Sequence, residues 1–395
     1  MTDTTNGRSD EYYMRRALRL ARRGEGDVSP NPMVGALIVR DGRIIAGGYH
    51  HRCGENHAEI NAIRNAAEPV EGAVFYITLE PCSHFGRTPP CVDALLACRP
   101  GRVVIGTTDP NPRVAGGGIR ILQAHGIRTT VGVLAEPCRR LNEVFFKYIR
   151  SGLPFVTLKF AQTLDGRIAT ATGHSRWISS PPSLRFAHRL RGLHDAVLVG
   201  ADTVIADDPE LTCRLVRGKN PLRIVVDSRL RTPTESRIYA RQSSARTVVA
   251  TAGRAAAERR QPFEEAGVEL LEIGADRSGR VDLHMLLSAL GKREITSLLV
   301  EGGAAVITSF LREKLADRLV VVIAPKIAGR GLDAVGDLDI RRMDDALRLT
   351  FRRILRRGDD IILDARINPE EIAGNPESGE NGTASEKAAG KAHES

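Results

Sequence analysis

One stretch, from His57 to Cys91, constrains this chain more than any other. It reads His57-Ala58-Glu59, then the strand-like run Ala73-Val74-Phe75-Tyr76-Ile77-Thr78, then Pro81-Cys82-Ser83-His84-Phe85-Gly86-Arg87-Thr88-Pro89-Pro90-Cys91. An imidazole and two thiolates make a soft ligand set that suits Zn²⁺ and leaves a fourth tetrahedral position for water. Glu59, two residues from the imidazole, can move protons without binding the metal. Two blander readings stand beside this one. The cysteines could be buried small apolar residues, or the set could be a structural zinc site completed by Cys53 or His84. A structural site normally takes four protein ligands, whereas an open position needs an acid–base group close by, and Glu59 is one.

The pattern also predicts local structure. Met14, Ala17, Leu18 and Ala21 fall on one face of a helix from Asp10 to about Arg23, stopped by Gly24 and Gly26. Strands follow at Val34–Val39 and Ile44–Ala46, joined by Asp41-Gly42, a pair suited to a tight hairpin turn. A helix starts at His57, with Ile60, Ala62 and Ile63 facing the core. On it His57 and Glu59 lie about 200° apart, so Glu59 reaches round the first turn, where the helix dipole also favours a carboxylate. Cys82 follows a strand ending at Leu79, and Cys91 opens another helix. A strand at 102–106, a helix near 118–125, a strand at 127–133 and one helix from Pro137 to Arg150 complete an alternating α/β unit.

Gly152 and Pro154 mark a boundary, and at 395 residues two domains are expected. The second half reopens with strand Phe155–Phe160. A turn at Ser175–Ile178, a helix from Pro182 to Arg191 and strands Ala196–Gly200, Arg223–Asp227, Thr247–Ala250 and Ser297–Val300 indicate a largely parallel sheet. Ala206-Asp207-Asp208-Pro209 reads as a loop. No Gly-x-Gly-x-x-Gly is present, but Val300-Glu301-Gly302-Gly303-Ala304 joins a strand to a helix, where backbone amides can approach a phosphate. Residues 367–395, rich in Glu, Gly, Asn, Ser and Lys, read as a disordered tail.

Composition narrows the partners. Lys and Arg number 57 against 48 Asp and Glu, a formal charge of +9 that favours anionic partners, although a solvated surface explains most of it. No aromatic-interleaved basic stripe occurs and only one Trp is present. No run of about 18 uncharged apolar residues occurs, and Met1 to Asp10 lack the apolar core of a signal peptide, so a cytoplasmic location is expected. Six scattered cysteines, two assigned to metal, do not form a disulfide framework; Cys98, Cys138 and Cys213 read as reduced structural residues. Asn31 and His50 sit on loops able to flank a base, and His84 and Arg87 could meet an anionic group.

His-x-Glu followed by Pro-Cys and a second Cys resembles the zinc-dependent nucleobase deaminases. Further motifs resemble one family, the bifunctional deaminase/reductases of riboflavin biosynthesis, over residues 10–366. They are Pro30-Asn31-Pro32-x-Val34-Gly35, the Pro81 to Cys91 segment, Asp109-Pro110-Asn111-Pro112, Thr163-Leu164-Asp165-Gly166-Arg167 and Ala206-Asp207-Asp208-Pro209-x-Leu211-Thr212. Eight residues separate Cys82 from Cys91, where cytidine, DNA and tRNA deaminases usually have two.

The resemblance implies a cytidine-deaminase-like three-layer domain over 10–150 and a dihydrofolate-reductase-like domain over 154–366. It implies zinc-dependent deamination of a diamino-ribosylamino-pyrimidinone 5′-phosphate, then NADPH-dependent reduction of the ribosyl group to a ribityl chain. It assigns Ser175, Arg191, Leu211, Arg214 and Glu301 to substrate. It assigns Ala161, Trp177, Thr203, Asp207, Ser228 and the stretch opening at Gly303 to NADPH. A homodimer through the reductase half is also implied. Two rivals carry different expectations: a nucleic-acid deaminase, against which the wide cysteine gap speaks, and a zinc-stabilised binding protein without activity, against which Glu59 speaks.

Overall fold

The computed structural model describes residues 8–367 apart from Arg87, Pro112, Arg113, Arg241, Ser243 and Arg254. Arg87 and residues 368–395 of the expected tail thus lie outside the described residues. Two sheets organise the rest. The first runs Arg43–Tyr49, Gly35–Arg40, Val74–Ile77, Arg102–Ile105, Arg128–Val131 in space. Its first three strands are antiparallel neighbours and its last three parallel. Arg40 pairs with Arg43 across Asp41 and Gly42, whose φ of 49° and 73° are the left-handed values a two-residue turn needs. Side chains alternate along these strands, so each face has its own core. Ala36, Ile38, Phe75, Ile77 and Val103 pack with Ala58, Ala62, Leu95 and Leu122 of helices Ala58–Arg64, Cys91–Cys98 and Gly117–Ala124. Leu37, Val39, Tyr76 and Val104 pack on the other side with Tyr13, Met14, Ala17 and Leu18 of helix Asp10–Ala21. The expected three layers result.

The second sheet has nine strands, in the order Glu269–Glu272, Thr247–Thr251, Leu222–Val226, Ala196–Gly200, Ser297–Glu301, Phe155–Thr163, Arg318–Ala324, Asp360–Ile367, Leu349–Arg357. The first seven are parallel; Asp360–Ile367 runs antiparallel to Arg318–Ala324, and Leu349–Arg357 antiparallel to Asp360–Ile367. Helices cover both faces, as a buried parallel sheet requires. Residues 230–294, which carry no motif, supply two of these strands and helices Ala257–Glu265 and Leu283–Lys292.

Several local expectations are corrected. The single helix from Pro137 to Arg150 is two, Ala135–Leu141 and Glu143–Ser151, broken at Asn142, whose side chain holds both Met33 N (2.8 Å) and Met33 O (2.9 Å). Ala206 and Asp207 end a helix, Ala201–Asp207, rather than lying in a loop. Ile60 is only half-buried, because the small faces of Ala58 and Ala62 meet the sheet, whereas Ile63 packs against that core as expected. Ile367 is no tail residue but a buried strand end paired with Leu349. The hairpin Leu349–Arg357/Asp360–Ile367 carried one turn signal, Gly358-Asp359 between its paired ends, but the doubled arginines of its outer strand hide the alternation of a strand.

The first domain sits on the edge of the second sheet where its parallel strands begin. Glu143 accepts from Arg352 Nη1 at 2.6 Å and Nη2 at 2.5 Å, and Arg366 Nη1 is 3.4 Å away. Lys147 pairs with Asp317, and Tyr148 Oη donates to Gly291 O at 3.0 Å. Beneath this contact His194 is buried, Nδ1–H donating to Leu190 O (2.7 Å) and Nε2 accepting the Thr157 hydroxyl (3.0 Å). Burial pushes its pKa down to about 4, whereas the unfolded chain takes up that proton near about 6.5. As pH falls through this window the unfolded state binds more protons, so His194 removes stability, about 2 kcal/mol by about pH 5. Urea unfolding of wild type should therefore weaken more steeply between neutral pH and pH 5 than that of His194→Gln. Parallel curves would mean that His194 is not buried neutral.

Candidate active sites

The first site assembles at the ends of three elements. Gly48 lets helix Ala58–Arg64 lie directly on its strand, since a Cβ there would stand 2.3 Å from Ala62 N. His57 is the extended residue before that helix (φ −71°, ψ 169°), and Glu59 lies in its first turn. Cys82 follows strand Val74–Ile77 on a turn braced by Glu80, which accepts from Asp109 N (3.1 Å), Gly116 N (3.0 Å) and Ile119 N (3.3 Å). Cys91 begins helix Cys91–Cys98, and its N–H donates to Cys82 Sγ at 3.3 Å.

These elements aim three donors at one point. His57 Nδ1 lies 3.5 Å from Cys82 Sγ and 3.2 Å from Cys91 Sγ, and the three donor atoms fall within 4.8 Å of one another. Among the described residues neither Cys53 nor His84 joins the group. The Thr88 hydroxyl is 3.4 Å from His57 Nε2. A bound imidazole normally donates its second N–H to an oxygen acceptor, and nothing in the sequence marks Thr88 as that acceptor. Hydrogen bonding from Cys91 lowers the Cys82 thiol, and that same bond raises Cys91. A divalent ion among them lets both ionise, so the donor set fits zinc.

Glu59 is 3% exposed, and its Oε2 has no hydrogen-bond partner. Burial pushes its pKa up to about 7 against the opposing pull of His57. A carboxyl poised there can both take and return a proton at neutral pH. Asn31 Nδ2 meets His50 Nε2 at 3.0 Å, His50 Nδ1 meets Asn56 O at 3.0 Å, and the His50 ring stands edge-on to His57 with centroids 5.2 Å apart. The carbonyl of Asn56 requires the His50 proton on Nδ1, so Asn31 donates. Burial lowers the pKa of His50, which keeps it neutral.

The second group gathers in the body of the nine-stranded sheet and where its parallel strands end, where open α/β folds bind ligands. Arg191 is no surface cation: its Nε and Nη2 donate to Glu301 at 2.6 and 3.0 Å, and its Nη1 to Thr212 O at 3.2 Å. Lys159 Nζ is 3.6 Å from the same carboxylate. Burial alone would raise Glu301, but Arg191 and Lys159 bring it down to about 2. Burial lowers Lys159. A lysine inside the apolar run Phe155–Phe160 was the unread signal here, since a buried cation implies a partner. His188 is buried with Nδ1 unpartnered, and its pKa falls to about 4 through burial and then the charges of Arg191 and Arg214.

Other expected residues form pairs rather than one cluster. Ser175 Oγ donates to Asp207 Oδ1 at 3.2 Å. Gly303 N donates to Thr203 Oγ1 at 3.0 Å, so that amide is engaged by the protein itself, and Gly302 takes a φ of 146° beside it. Ser228 accepts from Val281 N at 3.0 Å, and Ala161 pairs with Val322 across the sheet. Leu211 is buried with a φ of 52°, while Arg214 is half-exposed and 3.8 Å from Glu210. Trp177 is 67% exposed, and its carbonyl accepts from Lys326 Nζ at 2.6 Å.

Comparison with known proteins agrees with this two-part geometry. Residues 7–107 match the cytidine and deoxycytidylate deaminase zinc-binding region, and residues 154–363 match the RibD C-terminal domain. Riboflavin biosynthesis protein RibD of Aquifex aeolicus is 45% identical over 355 residues, covering 90% of this chain and 97% of that protein. Acinetobacter baumannii RibD, form 1, superposes with a TM-score of 0.80 at 36% identity, covering 91% of this chain and 98% of that one. The diaminohydroxyphosphoribosylaminopyrimidine deaminase/5-amino-6-(5-phosphoribosylamino)uracil reductase of Thermotoga maritima gives 0.78 at 38% identity with the same coverages.

The converging donors make metal content the direct check. Replacing Cys82 or Cys91 by Ala should lower bound zinc well below one ion per chain, measured by elemental analysis of purified protein. Full occupancy in either variant would mean that other atoms hold the ion.

Proposed function

From the premise that this chain belongs to the RibD family of riboflavin biosynthesis proteins, a bifunctional deaminase and reductase, we propose how its residues divide the two reactions. The first domain removes the amine of a diamino-ribosylamino-pyrimidinone 5′-phosphate by hydrolysis, and the second reduces the ribosyl group of the product. His57, Cys82 and Cys91 hold zinc, which when bound supplies Lewis acidity that makes hydroxide available near neutral pH. Glu59 takes one proton from the attacking water and passes it to the ring nitrogen, then carries the remaining hydroxyl proton to the amine, which leaves as ammonia as the ring carbonyl forms. Asn31, oriented by neutral His50, contacts the base, and Arg87 meets the phosphate-bearing end of the substrate. The observation that carries this reading is the buried Glu59 carboxylate, with one oxygen unpartnered beside three converging soft donors.

In the second domain NADPH supplies the hydride. Ala161, Trp177, Thr203, Asp207, Ser228 and Gly303 form its site along the edge where the parallel strands end. Ser175, Arg191, Leu211, Arg214 and Glu301 face the substrate. Arg191 is committed to Glu301, which leaves half-exposed Arg214 as the better phosphate partner. The domains divide at 150–154, where Gly152 ends the helix Glu143–Ser151.

The protein assembles as a dimer through the reductase half, where strand Leu349–Arg357 ends the sheet and exposes Leu349, Phe351 and Ile354. Light scattering at the mass of one chain would refute this. The protein works in the cytoplasm. No helix among the described residues is long and apolar enough to cross a membrane, and activity recovered only outside the cytoplasmic fraction would contradict that location.

Supplying the pyrimidinone ribosyl phosphate with NADPH should release ammonia first and oxidise NADPH second. Steady NADPH after ammonia release would refute the assignment of the second domain. Glu59→Gln should keep its zinc and lose deamination by about 10²–10⁴-fold, while reduction of the deaminated intermediate persists. Retained deamination would remove Glu59 from the mechanism.

A further inference from the structure

The segment between helix Asp10–Ala21 and strand Gly35–Arg40 touches both domains. Glu25 Oε2 lies 3.5 Å from Arg189 Nη2, and Gly26 packs so closely that a Cβ there would be 3.3 Å from Gly192 O. Ser29 Oγ donates to Asp195 Oδ2 at 2.9 Å and lies 3.1 Å from Thr296 Oγ1. Asp195 and Thr296 immediately precede strands Ala196–Gly200 and Ser297–Glu301 of the second sheet.

Asp195 is a stiff anchor. Its Oδ2 also accepts from Thr296 N (2.9 Å), Thr296 Oγ1 (2.8 Å), Ser297 N (3.1 Å) and Ser297 Oγ (3.1 Å), so its position does not depend on Ser29. Ser29 and Asn31 share one tight turn, closed by Asn31 N donating to Val28 O at 2.8 Å. At the other end of that turn Asn31 Nδ2 reaches His50 Nε2 at 3.0 Å, beside His57. An unbroken chain of hydrogen bonds and one turn therefore joins a carboxylate of the reductase domain to the amide facing the deaminase site.

We infer that Asp195 of the second domain, acting through Ser29, positions Asn31 for the reaction of the first. Ser29 and Asp195 are positioning residues: neither reaches His57, Glu59 or the cysteines. The inference rests on the proposal that Asn31 contacts the base. Catalytic parts held by the first domain alone stay in place when the link is cut, so the effect falls on substrate affinity. The segment keeps a second anchor, the grip of Asn142 on Met33, so cutting the link shifts Asn31 without unfolding the turn.

The test uses the full-length zinc-loaded protein and measures deamination of the pyrimidinone ribosyl phosphate, reduction of the deaminated intermediate, and zinc content. Ser29→Ala should raise the deaminase KM about 10-fold, the scale of one charge-assisted hydrogen bond. Its kcat, reductase turnover and zinc should stay within about twofold, and Ser29→Thr, which keeps the hydroxyl, should restore KM. Asp195→Asn, with its amide oxygen turned to the same donors, should give an intermediate KM and serves as the readout if Ser29→Ala does not fold. An unchanged KM in Ser29→Ala alongside a raised KM in Asn31→Ala would overturn the positioning role alone. Unchanged KM in both would overturn the base contact of Asn31 first, and the inference with it. Parallel losses of kcat, reductase turnover and zinc would show a structural role only and would likewise overturn it.

Discussion

Two thiols and an imidazole pressed together need a cation between them. His57, Cys82 and Cys91 come from a helix start, a strand end and a second helix start, and each is held by independent backbone structure. Their lone pairs converge at separations of 3.2 to 3.5 Å about the imidazole nitrogen. Bringing them together is costly unless a divalent ion absorbs the charge, so the apolar packing of Ala58, Ala62 and Leu95 works with the metal rather than beside it. The same packing excludes water from Glu59, and exclusion of water is what lifts its carboxyl to a useful range.

The second domain solves a related problem without a metal. Glu301 is buried, and two cations, Arg191 and Lys159, come to it from a helix and a neighbouring strand. Burial of one such charge alone would be prohibitive, but the bidentate guanidinium and the ammonium together make the group a fixed, dry array of charge. A polar array of this kind in the body of a parallel sheet stays in place without rearranging. The strand edge that carries Gly302 and Gly303 lies about 20 Å along the chain from Thr296, where the first domain docks. The deaminase domain thus covers the beginning of the strands and leaves their ends open.

The docking surface is polar and partly buried. Glu143, Lys147 and Tyr148 on one helix meet Arg352, Asp317 and Gly291, and Ser29 meets Asp195 on a separate segment. Two separated contacts fix orientation as well as adhesion. The break at Asn142 belongs to this arrangement, because the amide that ends one helix grips Met33 next to the site while the following helix carries Glu143.

Local chemistry was legible in the sequence. The ligand types and their spacing, the Asp41-Gly42 turn, the helix face of Met14 and Ala17, and the strands of the parallel sheet all depend on a few neighbouring residues, whose patterning and turn preferences act over short range. Tertiary structure alone decided the partners. Nothing near Lys159 or Arg191 announced Glu301, nothing near Ser29 announced Asp195, and the arginine-rich strand Leu349–Arg357 became a sheet edge only by pairing with Asp360–Ile367. A charge shows in the sequence, but whether it is solvated or buried depends on which distant surface folds over it. The chain by itself determined which chemistry it carries, and the packing of the two sheets decided which groups perform it together.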